Sequence, residues 1–288
     1  MTAQGRRIWL CADDYGMAPG VNRGIRRLIL DGRLNATSVM TAAHWLGDGE
    51  ADELMAVNAE RRRAALGLHV TLTGPFRPLS AGFSPVRDGA FPPHMEMMRL
   101  GMMRRLALEP LVIEIATQLE AFIDTFGRPP DFIDGHQHVH LLPIVRDAFL
   151  KVASEGAPNA WVRQCMRPAR ARPLHGPKSL VLDLLSVRFR SRAARLGIAT
   201  NPAFSGAYAF TPMADFAALF PRFLTGMPDG GLVMCHPGFV DAPLKSLDPL
   251  TDLRERELAY FASDAFPRDL ARHGVALAAP AGETGTAA

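Results

Sequence analysis

Phe132-Ile133-Asp134-Gly135-His136-Gln137-His138-Val139-His140 opens on apolar residues and closes on three histidines at every second position. Read as a strand, that alternation turns all three imidazoles to one side. Histidine is a common neutral ligand for divalent metals and titrates near neutrality, so the cluster suggests a site. By itself it fits equally well with rings hydrogen-bonded inside a strand-to-helix junction. The rest of the chain decides between the two.

Outward from this stretch, β-type and helical segments alternate. Residues 7–12 read as a buried strand running into Asp13-Asp14, and Pro19-Gly20 opens a helix to about Leu30. Residues 37–41 and 65–73 read as strands on either side of a helix-like segment at 50–63. A Pro- and Gly-rich loop follows Gly74-Pro75 as far as Pro93. The helix-like segment 94–108 carries Met95, Met97, Met98, Met102 and Met103, which suit either core filling or an adaptable lid over an apolar ligand. Residues 110–126 form an amphipathic helix stopped by Gly127 and Pro129-Pro130. Helices at 143–155, 251–261 and 264–272 and strands at 160–164, 231–235 and 275–278 continue the pattern.

Such alternation predicts an α/β protein with a parallel sheet, and about eight strand candidates favour a closed or nearly closed β/α barrel. One barrel domain is expected over residues 1–280, with a loop and lid insertion at about 74–109 and a disordered tail at 281–288. Asp13, Asp14, His69, His136 and His236 all fall where a strand gives way to a loop, the rim where β/α barrels carry their chemistry.

The 288 residues are 48% hydrophobic, enough for a substantial core, and the net charge is +3. That balance does not suggest nucleic-acid binding, which calls for basic residues interleaved with exposed aromatics. Asp13 and Asp14 come too early for a signal-peptide apolar region, so a cytoplasmic location is expected. Cys11, Cys165 and Cys235 are few and widely spaced, as free thiols would be. The apolar run of residues 178–185, followed by Arg188, Arg190, Arg192 and Arg195, reads as a packed helix with a basic end or as one resting on an anionic membrane surface.

One carboxylate and two imidazoles holding a divalent cation, with positions open to water and substrate, form a recurring hydrolytic arrangement. Asp13-Asp14, His69 and the His136 cluster supply that set. Adjacent strand residues point in different directions, so one aspartate would bind metal while the other reaches the attacking water. Each piece has an ordinary explanation as turn chemistry or a buried histidine; their joint appearance at strand ends does not.

Cys11-Ala12-Asp13-Asp14-Tyr15-Gly16, Pro19-Gly20-Val21-Asn22-Arg23-Gly24-Ile25, Gly67-Leu68-His69, the segment 134–140 and Cys235-His236-Pro237-Gly238 together resemble the YdjC/ChbG family of carbohydrate deacetylases. Asn201-Pro202-Ala203-Phe204-Ser205-Gly206 and the segment 247–258 are most similar to its hopanoid-biosynthesis-associated, HpnK-like branch. The resemblance implies a distorted, TIM-like parallel (β/α) barrel related to polysaccharide deacetylases. It implies N-deacetylation of an amino sugar, in this branch on a glycosylated hopanoid lipid, with a divalent metal, usually magnesium. By motif position Asp14, His69 and His136 would be the metal ligands and Asp13 the catalytic base; His236 matches the family's His-Pro site and is the expected general acid, with His138 or His140 in reserve. Where many members carry successive histidines preceded by Ser, this chain has Gly135 and Gln137. An Asp-His-His set also accepts zinc, manganese or cobalt. The expected partners are an amino-sugar substrate, lipid-linked in this branch, and the inner membrane surface through peripheral contact; the sequence leaves the oligomeric state open, with a homodimer among the options.

The competing readings are a chito-oligosaccharide deacetylase, a metal-dependent phosphoesterase or amidohydrolase, and a non-catalytic carbohydrate- or lipid-binding barrel. The second of these usually needs a lysine or more carboxylates, and lysine occurs only at Lys151, Lys178 and Lys245.

Overall fold

The computed structural model describes residues 5–47, 49–168, 177–248 and 251–280, with side chains from residue 180 onward in the third segment. Its strands are β1 (Arg6–Tyr15), β2 (Ala36–Val39), β3 (Ala65–Val70), β4 (Phe132–Gly135), β5 (Trp161–Val162), β6 (Phe204–Ser205), β7 (Leu232–Cys235) and β8 (Val275–Leu277). They form one sheet in the order β5-β4-β3-β2-β1-β7-β6, with β8 joined to β1 off this path. All pairings are parallel.

Parallel neighbours need crossovers, and helices cover the sheet as a result. These are α1 (Pro19–Leu30), α2 (Glu50–Val57), α3 (His94–Met102), α4 (Leu108–Phe126), α5 (Val145–Gly156), α6 (Pro177–Arg195), α7 (Phe216–Phe223), α8 (Ala242–Leu247), α9 (Asp252–Ala262) and α10 (Ala265–Arg272). Pro19 sits in the first turn of α1, where its missing N–H costs nothing, and Val21, Ile25, Leu28 and Ile29 form the buried stripe. Gly127 ends α4 at φ 65°, the left-handed cap that the sequence predicts there.

The sheet curls. β1 and β5 have three strands between them, yet the rings of Trp9 and Trp161 lie 6.2 Å apart, and Trp161 stacks on Phe132 at 4.5 Å. Gly67 permits this aromatic layer, since a Cβ there would stand 2.3 Å from the Phe132 ring. The outer edges approach as well. Val162 bridges Thr200, and the Phe204 N–H donates to the Met166 carbonyl at 2.9 Å. The expected distorted barrel is therefore the observed fold, with a thin seam between β5 and β6.

β1 carries two partners on different parts of its length. Arg6 to Ile8 pair with β8, whereas Trp9 to Ala12 pair with β7. Asn35 joins the pieces, accepting from the Leu10 N–H and donating to the carbonyls of Ile8 and Ala278.

Several boundaries differ from expectation. β1 runs on to Tyr15, so the aspartate pair lies inside the strand, where the register with β2 shifts between Ala12 and Tyr15. α2 stops at Val57, because Asn58 turns the chain, accepting from the N–H groups of Arg63 and Ala64. Strand β6 and helices α7 and α8 have no clear sequence signal at their lengths. The methionines divide: Met97 is buried, while Met95, Met102 and Met103 are exposed. The tail at 281–288 lies outside the described residues.

Candidate active site

The carboxyl ends of β1, β3, β4, β5 and β7 deliver Asp13, Asp14, His69, Asp134, His136, Arg163 and His236 to one rim. Asp14 adopts φ 71°, a left-handed conformation that Asp tolerates better than most residues. This local turn of the backbone at the register shift sends the two neighbouring carboxylates to different partners.

Asp14 Oδ1 lies 2.9 Å from His136 Nδ1 and 3.3 Å from His69 Nε2. One ligand atom from each residue lies within 4.8 Å of the other two, and all three residues are buried. His69 Nδ1 is 2.5 Å from Asp134 Oδ1 and 2.9 Å from Ser38 Oγ, a carboxylate support that fixes the ring and leaves Nε2 toward the cluster. Burial opposes the charged imidazolium of His69, but Asp134 and Asp13, with hydrogen bonds to Asp134 and Asp14, push its pKa up to about 10. A proton is thus held where a cation would neutralise the same carboxylates, and the hard and borderline donors suit a divalent metal.

Asp13 faces the other way. Arg163 grips it bidentately, Nη1 to Oδ2 and Nη2 to Oδ1, each at 2.6 Å, and also reaches Asp134 Oδ2 at 2.5 Å. Burial would raise the Asp13 carboxyl, but the guanidinium and its hydrogen bonds prevail and hold it well below the carboxylate range. Cys11, Asp13 and Asp134 also approach within metal-ligand spacing, but the Arg163 guanidinium fills that space, with Nη2 3.2 Å from Cys11 Sγ. Burial keeps the Cys11 thiol protonated.

The three histidines do not share one side of a strand. β4 ends at Gly135, and His136–Leu141 is a tight 3₁₀ turn with Gln137 and His138 at φ 53° and 58°. Gly135 allows the turn to fold back on itself, since a Cβ there would lie 2.9 Å from His140 Nδ1. Of the three, only His136 joins the cluster. His138 lies 3.6 Å from Cys165 Sγ and edge-on to Phe204, and burial followed by the nearby Arg163 charge lowers its pKa to about 3. His140 is sealed between Phe149 and Phe189, where Nε2–H donates to the Arg163 carbonyl and burial pushes its pKa down. Both rings are therefore neutral imidazoles near neutrality, a state that does not favour the reserve-acid role.

His236 follows β7 on the facing side, edge-on to Phe210, with a buried Nδ1 that has no hydrogen-bond partner among the described residues. Its backbone N–H donates to Glu257 Oε2 at 2.6 Å, while Tyr208 O–H donates to Glu257 Oε1. Helix α9 supplies Glu257 and, one turn earlier, Arg254, which donates to Asp14 Oδ2 at 2.6 Å. Arg163, Asp134, Ser38, Arg254 and Glu257 are absent from the expected site. Asp134 lies within the stretch first quoted, and a charged Arg163 inside a strand expected to be buried is a legible signal. Nothing in the local pattern of α9 marks Arg254 or Glu257.

Two segments border the rim. Phe76, from the loop after β3, meets the His136 ring edge-on at 5.8 Å, and Gly101 of α3 packs on Leu142 just beyond the histidine turn. The amino-terminal part of α6 is tied to the strand ends by Ser186 Oγ, which accepts from the Cys165 N–H, and by the Arg167–Asp183 pair. Leu180, Val181, Leu184 and Val187 stand exposed there. No helix among the described residues is long and apolar enough to cross a membrane.

The fold is shared with a protein from Enterococcus faecalis V583 provisionally described as a cellobiose-phosphate cleavage protein, at a TM-score of 0.70 and 20% identity over 96% of this chain and 97% of that one. A family 4 carbohydrate esterase from Streptomyces lividans, in complex with acetate, aligns with a TM-score of 0.45 and 11% identity over 96% of this chain and 93% of that one. A family 4 esterase from Streptococcus mutans gives 0.46 and 14% over 96% and 86%. The model of the family described as YdjC-like protein matches residues 7–272, nearly the whole sequence, and the chain belongs to that family.

Proposed function

We propose that this chain is a divalent-metal-dependent hydrolase that removes the N-acetyl group from an amino sugar. The observation that carries this reading is the convergence of Asp14 Oδ1, His69 Nε2 and His136 Nδ1 beside a second aspartate held ionised by Arg163. A divalent cation held by those three donors would polarise the acetamide carbonyl and lower the pKa of water. Asp13 accepts a hydrogen bond from the attacking water; its low pKa suits it to orient the water and pass the proton on. Oδ2 retains a lone pair beyond the one bound to Arg163, whereas Oδ1 also lies 3.4 Å from Ser38 Oγ and 3.6 Å from Cys11 Sγ. Water adds to the acetyl carbon, the C–N bond breaks, and His236 returns a proton to the departing amine, yielding acetate and a free amino sugar. Asp134 and Ser38 keep His69 in the ligating orientation.

His69 must lose its proton to ligate a metal. Metal binding near pH 7.5 is therefore expected to release about one proton, and affinity should rise ~tenfold per pH unit until about pH 10, where the ring is already neutral. Calorimetric titration in buffers of different ionisation enthalpy measures that proton, and a pH-independent affinity would show that the His69 ring is already neutral before metal binds.

The finer reading is an N-acetylated amino sugar on a lipid, such as a glycosylated hopanoid, with magnesium as the metal. The motif resemblance of segments 201–206 and 247–258 supports it, and so does the exposed apolar row on α6 beside the rim, where a lipid moiety could rest. Both arginines buried at the rim are neutralised by carboxylates, which disfavours a phosphoesterase. Acetate release from N-acetylglucosaminyl lipids and from chito-oligosaccharides, each with metal stripped and restored, tests the proposal. Release on the lipid that disappears with the metal and returns with it is expected. Faster release on the oligosaccharide would move the substrate assignment, and no release on either would refute the deacetylase reading.

A further inference from the structure

The Asp14 carboxylate is shared between two masters. Oδ1 faces His69 and His136, while Oδ2 accepts from Arg254 Nη2 at 2.6 Å. Arg254 is buried, and its position is over-determined. Nε and Nη2 lie 3.1 and 2.5 Å from Asp248 Oδ2, Nη2 also touches Met17 Sδ at 3.5 Å, and its carbonyl accepts from the Gly238 N–H in the loop that carries His236. Side chain and carbonyl together thus tie α9 to the end of β1 and to the loop after β7.

We propose that Arg254 is a positioning residue that confines Asp14 to a single ligating oxygen; the inference rests on the metal-site reading above. A carboxylate can bind a cation through one oxygen or both. With Oδ2 held 2.6 Å from a planar, permanently charged guanidinium, a second cation at that oxygen would meet like-charge repulsion, so Oδ1 is the favoured ligand atom, and part of the carboxylate's negative charge is already neutralised. A second Asp14 oxygen would occupy a position that the attacking water and the acetamide oxygen require. Arg254 therefore trades metal affinity for open positions. This is the opposite of Asp134, which raises the donor strength of His69 and whose loss should weaken binding.

The two roles separate in the sign of the effect on affinity. Mn²⁺ titrations of the wild-type protein, Arg254→Met and Arg254→Lys, read by the EPR signal of free Mn²⁺ and by water-proton relaxation of the bound ion, provide the test. Arg254→Met is expected to bind Mn²⁺ about tenfold more tightly, the size typical of outer-shell changes but reversed in direction. Each bound ion should relax water less, because the freed oxygen displaces a bound water. Arg254→Lys keeps the charge but grips through a point contact, and should shift both readouts the same way by a smaller factor. Weaker Mn²⁺ binding with unchanged relaxation per bound ion, in either variant, would overturn the proposal and leave Arg254 a purely structural residue. Failure of the wild-type protein to bind Mn²⁺ would overturn the metal-site reading and this inference together.

Discussion

Asp13→Asn is expected to lower acetate release by ~10²–10⁴-fold while the protein still binds its metal, the range associated with one positioned proton-transfer group. The asparagine side chain keeps the shape but loses the negative charge and the ability to accept a proton. None of the three atoms that cluster at the proposed metal site belongs to Asp13. Asp14→Asn should do the reverse in one respect, losing metal along with activity. Metal content after gel filtration, measured beside acetate release, distinguishes the two. A metal-free Asp13→Asn protein with metal-replete Asp14→Asn would exchange their assignments. A modest loss, near threefold in turnover, would remove Asp13 from the proton path and leave it as a partner for Arg163.

Arg163→Met should be the most destabilising single change at the rim. Arg163 is fully buried and contacts two carboxylates, so its loss strands Asp13 and Asp134 together, at a cost of about 3–5 kcal/mol. The pH dependence fixes the cause. In the wild-type protein Asp13 has a folded pKa below its unfolded value of about 3.9, so its contribution is present above that pH and is lost as pH falls through the folded pKa. Without the guanidinium, burial is opposed only by the weaker attraction of His69 and His236, and the folded pKa should rise above the unfolded one. The stability deficit of Arg163→Met should then be greatest at neutral pH and should narrow toward pH 4. Urea unfolding at pH 7.5 and pH 5 would show this, and Asp13→Asn added to Arg163→Met should recover part of the loss. A deficit independent of pH, with no recovery in the double variant, would point to lost packing instead.

The barrel was legible because parallel strands buried on both faces leave continuous apolar runs, and because polar residues interrupt those runs at one end. Asp13, Asp14, His69, His136 and His236 could be picked out for that reason, and the structure brings all five to one rim. Local pattern misled where the backbone left its expected path. Strand periodicity cannot foresee that β4 stops at Gly135 and that two left-handed residues then scatter the three imidazoles. Nor can it foresee partners supplied from a distance: Arg254 meets Asp14 across 240 positions and Arg163 meets Asp13 across 150. Buried charge pairs of this kind are decided by packing between elements, on which the spacing of neighbours in the chain is silent.

The thin seam between β5 and β6 makes the barrel unequal around its circumference. Asp14, His69 and His136 lie on or just after strands of the contiguous run β1, β2, β3, β4, whose ladders are longer than those that join β5 and β6 to the sheet, so the proposed ligand set sits in a well-laddered part. The seam, held by few backbone hydrogen bonds, borders Met166 and the exposed apolar row of α6. Gln164 and Asn201 add three buried hydrogen bonds across it, so side-chain amides do on that flank what backbone ladders do elsewhere. The barrel is thus closed by side-chain amides on one flank and by backbone ladders beside the proposed ligand set, an asymmetry that a uniformly laddered cylinder would not possess.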